Sequence, residues 1–337
     1  MDRYSEAGVD LDLAATVKAG LRGLARKSRR PEVLGAIGGF GGLFRPMFSG
    51  YREPVLVASI DGVGTKLKVA VLANRHQGVG EDLVHHCVND IATTGAVPLF
   101  FLDYVGTSRL DPNSFRQILR GMARACRRVG CALLGGETAQ MPGMYRDDEY
   151  DLVGVIVGVV DRQALLPKKS MRAGDLLIGL RSNGLHTNGY SLARKILFEE
   201  QHLSLETRIP GCPRPLGEEL LRVHRCYLPE LQRLRQHPLP IKGIAHITGG
   251  GLLENLPRIL PKGLDARIEL KSWRVPALFR FLSDLGHISQ EESYRVFNMG
   301  IGMVLVVSAD HGERAADLVH GRIIGRLVPG KRRVLLC

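Results

Sequence analysis

Short apolar runs and helix-spaced segments alternate through the first half of the chain. PVLVAS (54–59) predicts a buried strand, and LKVAVLAN (67–74) carries its apolar residues at helical spacing. The same reading predicts a strand near 54–60, helices near 66–74 and 81–94, and a strand near 98–105. A helix near 113–129, a short strand at 131–135 and a long strand at 150–160 follow. The segment DRQALLPKKSMRAGD (161–175) then mixes charge, proline and glycine, which marks a boundary. Two domains are expected, at 1–165 and 170–337. The second begins with the strand DLLIGL and the helix GYSLARKILFEE, with Leu192 and Ile196 on one face. LGEELLRVHRCYLPELQRLRQH reads as mostly helical, broken or kinked at Pro229. Residues 200–215 read as a loop. The strands IKGIAHI, DARIEL and VLVV and the helix after GGG complete a second α/β unit, with no short repeat.

Glycines punctuate this pattern where chemistry is expected. In IDGVGTKLK (60–68), Asp61 ends a strand, and Gly62 and Gly64 let the backbone come close to a ligand. Thr65 and Lys66 fall in the first helical turn, where amide hydrogens attract anions. A carboxylate beside bound phosphate implies a divalent cation between them. CALLGGETAQMPGMY (131–145) repeats the logic, with Gly135, Gly136, Glu137 and Thr138 after a short strand. Between the two lies CVNDIATTGAVPLFFLDY (87–104), with Asp90 on a helix and Asp103 in an apolar strand. Asp61, Asp90 and Glu137 thus come from three segments rich in apolar residues or glycine, where an unpaired charge is costly. Asp90 also fits an exposed helix acid, and Asp103 a strand-end residue.

The second half has glycine loops of its own. SNGLHTNG (182–189) follows a strand and precedes a helix, so its amides could cradle a phosphate. His186 and Asn188 are candidate ligand contacts there; a solvated loop histidine and a helix cap are the plainer alternatives. TGGG (248–251) places Gly249 and Gly250 between strand and helix, as a ligand loop or a tight packing turn. FNMGIG (297–302) reads better as the glycine-rich entry to a core strand.

Composition narrows the function classes. The 337 residues are 45% hydrophobic and 24% charged, as in ordinary globular proteins. No apolar run approaches the roughly 18 residues that span a bilayer, and the first residues have no apolar signal core, so a cytoplasmic protein is expected. Cys87, Cys126, Cys131, Cys212, Cys226 and Cys337 have no CxxC spacing, which argues against zinc and a disulfide framework. The net charge of +12 comes without a nucleic-acid-binding motif. It suits long-range steering of phosphorylated ligands.

Several segments, in order, resemble phosphoribosylformylglycinamidine cyclo-ligase, the aminoimidazole ribonucleotide (AIR) synthetase family. They are YSEAGVDLD (4–12), GAIGGFGGLF (35–44), DGVGTKLK (61–68), CVNDI (87–91), PLFFLDY (98–104) and GCALLGGETAQMPGMY (130–145). SNGLHTNGYSLARK (182–195), HITGGGLLENLPR (246–258) and FNMGIG continue the series. Gln140 stands where the family commonly has an acid, and Thr187 where serine is usual.

The resemblance implies a two-domain α/β (α+β) fold. Its N-terminal domain forms a β-barrel shared across a homodimer, and its C-terminal domain is α/β. It implies ATP-dependent closure of formylglycinamidine ribonucleotide to aminoimidazole ribonucleotide in purine biosynthesis, with no nucleic acid or membrane partner. Asp61, Asp90 and Glu137 would hold Mg2+. Gly62, Gly64, Thr65, Gly135, Gly136, Thr138, Gly249 and Gly250 would contact ATP or substrate, and Lys66 or Lys27 would meet phosphates unless merely solvated. Asp61, His186 and Asn188 would be catalytic. A small-molecule kinase or an ATP-dependent maturation protein would use the same carboxylates. Selenophosphate synthesis calls for a cysteine in an N-terminal glycine-rich segment, and the first here is Cys87. A catalytically silent nucleotide binder and a basic nucleic-acid module are the alternatives from other classes.

Overall fold

The computed structural model describes residues 23, 26–35, 39–166, 170–237 and 239–337. The YSEAGVDLD segment lies outside these, as do residues 36–38 of the GAIGGFGGLF segment and 167–169 of the expected boundary. Contacts divide the chain into one unit of residues 1–91 and 96–164, and a second of 92–95 and 165–337.

A short hairpin, β1 (Val33–Leu34) and β2 (Leu43–Phe44), opens the first unit. Then come β3 (Pro54–Gly62), α1 (Lys66–Leu72), α2 (Gln77–Ala92), β4 (Val97–Thr107), α3 (Pro112–Arg128), β5 (Ala132–Gln140) and β6 (Tyr150–Asp161). The sheet order is β3-β6-β4-β5, antiparallel except for the β4–β5 pair. Helix α3 forms where the sequence supplies both ends. Asp111 accepts from the Asn113 and Ser114 amides, Pro112 starts the first turn, and Arg127 and Arg128 sit at the carboxyl end. Its buried stripe includes Phe115, Ile118, Leu119 and Met122. Helices α2 and α3 cross backbone to backbone. A Cβ on Gly80 would lie 2.0 Å from the Ile118 carbonyl oxygen, and one on Gly121 the same distance from that of Gln77.

Register decides what each sheet face carries. Asp61, Gly154, Asp103 and Gly136 align across the four strands. Their face is the one under the helices, since a Cβ on Gly154 would strike Phe101 and Leu83 of α2. The opposite face has Leu56, Ala58 and Ile60 on β3 and Val155 and Val157 on β6. Leu56 and Ile60 are 60% and 65% exposed. The hairpin shields part of this face, with the Phe44 and Phe100 rings 5.1 Å apart. Val57 shares the parity of Ser59 and Asp61, so it belongs to the helix side.

The second unit has β7 (Leu176–Arg181), α4 (Tyr190–Arg194), α5 (Leu216–Leu220), α6 (Leu228–Arg235), β8 (Ile241–His246), α7 (Gly251–Ile259) and β9 (Leu264–Ile268). It continues with α8 (Ala277–Leu285), α9 (Gln290–Val296), β10 (Ile301–Val307), α10 (Gly312–Leu318), β11 (Arg322–Pro329) and β12 (Val334–Leu336). Six strands run in the order β12-β9-β11-β7-β10-β8, and only the β12–β9 pair is parallel. All seven residues of β10 are buried, so IGMVLVV is the centre of the core. Three expectations need correcting here. Pro229 lies in the first turn of α6 and starts that helix, while residues 221–227 form no helix. The helix after GYSLAR passes into a π turn at 195–200. In the first unit, β5 runs on through GGETAQ to Gln140 because β4 continues beside it as partner.

Candidate functional site

Asp61 ends β3 with its carboxylate between two donors. Oδ1 accepts from the Gly62 amide at 2.7 Å, and Oδ2 lies 2.9 Å from His86 Nε2 on α2. One turn further along α2, Asp90 Oδ2 accepts from the Ser59 hydroxyl at 3.2 Å. Strand β3 and helix α2 therefore bring both acids to one imidazole. Burial, the largest single influence on His86, pulls its pKa down. The Asp61 hydrogen bond and the charges of Asp61, Asp90 and Asp82 together outweigh it, leaving His86 above the ordinary value. Asp61 keeps about a third of its side chain exposed, so carboxylate oxygens suited to a hard divalent cation remain within reach of solvent.

Glu137 lies elsewhere in the chain. It sits on the edge strand β5, three strands from β3, which is roughly 14 Å at ordinary strand spacing. Its Oε1 accepts from the Thr138 amide at 2.7 Å. One chain alone therefore cannot place Asp61, Asp90 and Glu137 on one ion. Gly135, Gly136 and Thr138 belong to this strand and not to a strand-to-helix loop. Gly136 has a packing reason, because a Cβ there would lie 2.5 Å from Asp103 Oδ1. Burial pushes the Asp103 carboxyl up to about 7, against a backbone hydrogen bond that lowers it. Lys27 is exposed beside Ser28, whose hydroxyl accepts from the Leu133 amide at the start of β5, so it too lies away from Asp61.

The loop between β3 and α1 holds two further corrections. Gly64 adopts φ +69°, but the amides of Leu67 and Lys68 already bond the Gly64 and Thr65 carbonyls. Fewer amides face outward from this turn than the sequence implies. Lys66 is fully buried and meets Asp82 of α2 at 2.7 Å, with both side chains at 0% exposure. Desolvation lowers its pKa against the attraction of Asp82. Inside the unit it cannot reach a phosphate, and its place is structural.

In the second unit three loops knit together. His186 has φ +62° and a ring stacked 4.1 Å from that of His224. It is 1% exposed, so it is not a solvated loop residue. His224 Nδ1 lies 3.3 Å from the Thr187 hydroxyl. Its Nε2 is 3.1 Å from His246 Nε2, so one of those two nitrogens carries the shared proton. Asn298 of the FNMGIG segment accepts from Ser182 at 2.7 Å and donates to the Gly184 carbonyl at 2.9 Å. That segment therefore clamps the SNGLHTNG loop as well as entering β10. Asn188 comes against Gly249, where a Cβ would lie 3.3 Å from its Oδ1. Gly250 takes φ +91° at the start of α7, and Asn255 donates to the Gly249 and Gly251 carbonyls. Gly249 and Asn188 are thus the half-open pair, while Gly250 serves the turn. His224, His246 and Asn298 had no periodicity to mark them; the polar crowding around His186 was the available signal.

Comparison with known proteins decides the family. The AIR synthase related protein N-terminal domain model matches residues 50–160, and the corresponding C-terminal domain model matches 172–337. A phosphoribosylformylglycinamidine cyclo-ligase from Geotalea uraniireducens is 51% identical over 96% of this chain and 91% of its own. One from Geobacillus kaustophilus is 52% identical over 94% and 90%. This chain belongs to the phosphoribosylformylglycinamidine cyclo-ligase family. A crystal structure of the hydrogenase maturation protein HypE in complex with ATP superposes with a TM-score of 0.69 over 96% of this chain and 90% of its own. At 16% identity it speaks for the two-domain α+β fold alone.

The two departures from the cyclo-ligase pattern have definite places. Thr187 keeps the hydroxyl of the usual serine and turns it to His224. Gln140 closes β5 opposite Thr107, in register with β4.

Proposed function

We infer that this chain catalyses ATP-dependent cyclisation of formylglycinamidine ribonucleotide to 5-aminoimidazole ribonucleotide, releasing ADP and phosphate. The observation that carries the reading is half-identity to cyclo-ligases along nearly the whole chain, across both domains. Likeness to maturation proteins stops at the fold.

The formyl oxygen is a poor leaving group, and transfer of the γ-phosphoryl group of ATP to it makes that oxygen depart as phosphate. The ribose-bound nitrogen of the substrate attacks the activated carbon, and loss of a proton leaves the aromatic ring. The protein's part is positioning and charge neutralisation. Asp61 and Asp90 would hold Mg2+, which supplies charge neutralisation on the phosphates, with the oriented donors His86 and Ser59 fixing the two carboxylates. Asn188 and Gly249 border the substrate side, and the buried His186–His224–His246 stack keeps that loop in place.

The open sheet face supports a homodimer. Leu56, Ala58, Ile60, Val155 and Val157 form an apolar surface on a two-sided sheet with helices on one side, and a second copy would cover it. A nucleotide site shared between two copies also gives Lys27 and Glu137 a role that distance denies them within one chain. We assign the N-terminal domain, residues 1–165, to ATP, Mg2+ and dimerisation, and 170–337 to the rest of the substrate. A cytoplasmic setting suits this chemistry; no described helix is long and apolar enough to cross a membrane.

The test is incubation with Mg2+, ATP and formylglycinamidine ribonucleotide, following ADP and a diazotisable aminoimidazole together. Equal amounts of both are expected. ADP without the imidazole would point to a kinase, and neither product to a silent binder.

A further inference from the structure

The second unit contains a recess of about 390 Å3 that none of the residues assigned above line, within the size range of small-molecule pockets. Arg181 reaches it from the end of β7, Arg274 from the segment before α8, and Arg280 from α8 itself. No acidic residue lines it. Among the described residues no carboxylate forms an ion pair with these three guanidinium groups. Some other arginines of the unit do have a carboxylate partner: Arg222 with Glu219 at 3.1 Å, Arg267 with Glu269 at 3.1 Å and Arg295 with Glu254 at 3.2 Å. Three solvent-facing guanidinium groups from separate segments give this recess a positive potential that attracts an anion.

The walls are rigid. Trp273 is buried and donates through Nε1 to the Met299 carbonyl at 2.9 Å. Gly300, at φ +96°, packs so closely on Pro276 that a Cβ would lie 2.6 Å from the ring. Ser182 also lines the recess, and it opens the loop that carries Asn188. Planar guanidinium forks match the oxygens of a phosphate monoester and hold it by paired charge-assisted hydrogen bonds.

We propose that this recess is a phosphate-monoester subsite, in which Arg181, Arg274 and Arg280 hold the ribose 5-phosphate end of the substrate. Its assignment to that substrate rests on the cyclo-ligase reading; its affinity for a phosphate monoester does not.

The test compares the full-length protein with Arg274→Gln/Arg280→Gln, using ribose 5-phosphate as the probe in calorimetry. Loss of each arginine should weaken binding about tenfold, a change worth about 1.4 kcal/mol. In the coupled assay the KM for formylglycinamidine ribonucleotide should rise in parallel, while the KM for ATP holds. Arg280→Lys, which keeps the charge and loses the fork, should fall between, and a melting curve matching wild type checks its fold. Unchanged ribose 5-phosphate affinity would overturn the subsite, as would equal rises in both KM values. Inorganic phosphate binding as tightly as ribose 5-phosphate would overturn the substrate assignment. Arginine-dependent ribose 5-phosphate binding in a wild-type protein that makes no aminoimidazole would support the subsite and sink the cyclo-ligase reading instead.

Discussion

Lys66 is where sequence and structure disagree most sharply, so its substitution tests the physical reasoning directly. The glycine loop before it suggests a phosphate-binding lysine, whereas the folded chain buries it completely against Asp82 at 2.7 Å. Lys66→Met keeps most of the volume and removes the charge, which leaves Asp82 buried without its cation. Breaking a buried pair from one side costs about 3–5 kcal/mol. For a domain of this size each kcal/mol lowers Tm by roughly 2–4 °C, so a loss of roughly 6–20 °C is expected. Lys66→Met/Asp82→Leu should recover most of that loss, because a well-packed apolar pair avoids the desolvation of both charges. Thermal melts of wild type, both single variants and the double variant would measure the coupling. A Lys66→Met protein that melts like wild type and instead has a raised KM for ATP would place Lys66 at the nucleotide and not in the core.

Three further outcomes follow from the same geometry. Asp61→Asn should lower turnover by at least ~100-fold while the chain still folds, since it removes a charge that a metal–phosphate cluster needs; wild-type turnover would take Asp61 out of the site. Ile60→Asp should leave a particle of about 37 kDa by light scattering, the mass of one chain, whereas a particle of unchanged, doubled mass would remove this face from the interface. Asp265 accepts from the Lys331 and Arg333 amides at 2.6 and 2.7 Å, and these bonds together with the Arg333 charge hold its pKa below the usual carboxylate value. That stabilisation is present above the unfolded value of about 3.9 and is lost as pH falls through the depressed folded value. The Cys337 amide donates to the Ile268 carbonyl at 2.8 Å, and its hydrogen-exchange protection factor should therefore fall at low pH in wild type and at all pH values in Asp265→Ala. Equal exchange in both proteins at neutral pH would contradict it.

The legible parts of this fold are those with a local physical signature. Strand β3 and helix α2 declare themselves by apolar spacing, and so does the turn at Gly64, where φ +69° demands glycine. Asp61 was legible for the same reason, as an acid at a strand end before such a turn. Other features depend on partners distant in sequence. Nothing local says that Lys66 faces Asp82, or that GGETAQ continues as strand because β4 runs beside it. The side of the sheet that stays open depends on register, which moves the exposed apolar residues to Leu56 and Ile60 and takes Val57 under the helices. His224 and His246 lie 22 residues apart and meet only in the folded unit. The recess lined by Arg181, Arg274 and Arg280 likewise exists only once β7 and α8 converge.

The central claim is that ATP activates the formyl oxygen so that ring closure can expel it. The most direct measurement follows that oxygen. Substrate labelled with 18O in the formyl group would be turned over with Mg2+ and unlabelled ATP, and the released phosphate analysed by mass spectrometry. One 18O per phosphate, with one aminoimidazole formed for each, is the expected result. Phosphate free of label, with the 18O recovered in water, would contradict the mechanism even if the imidazole were made.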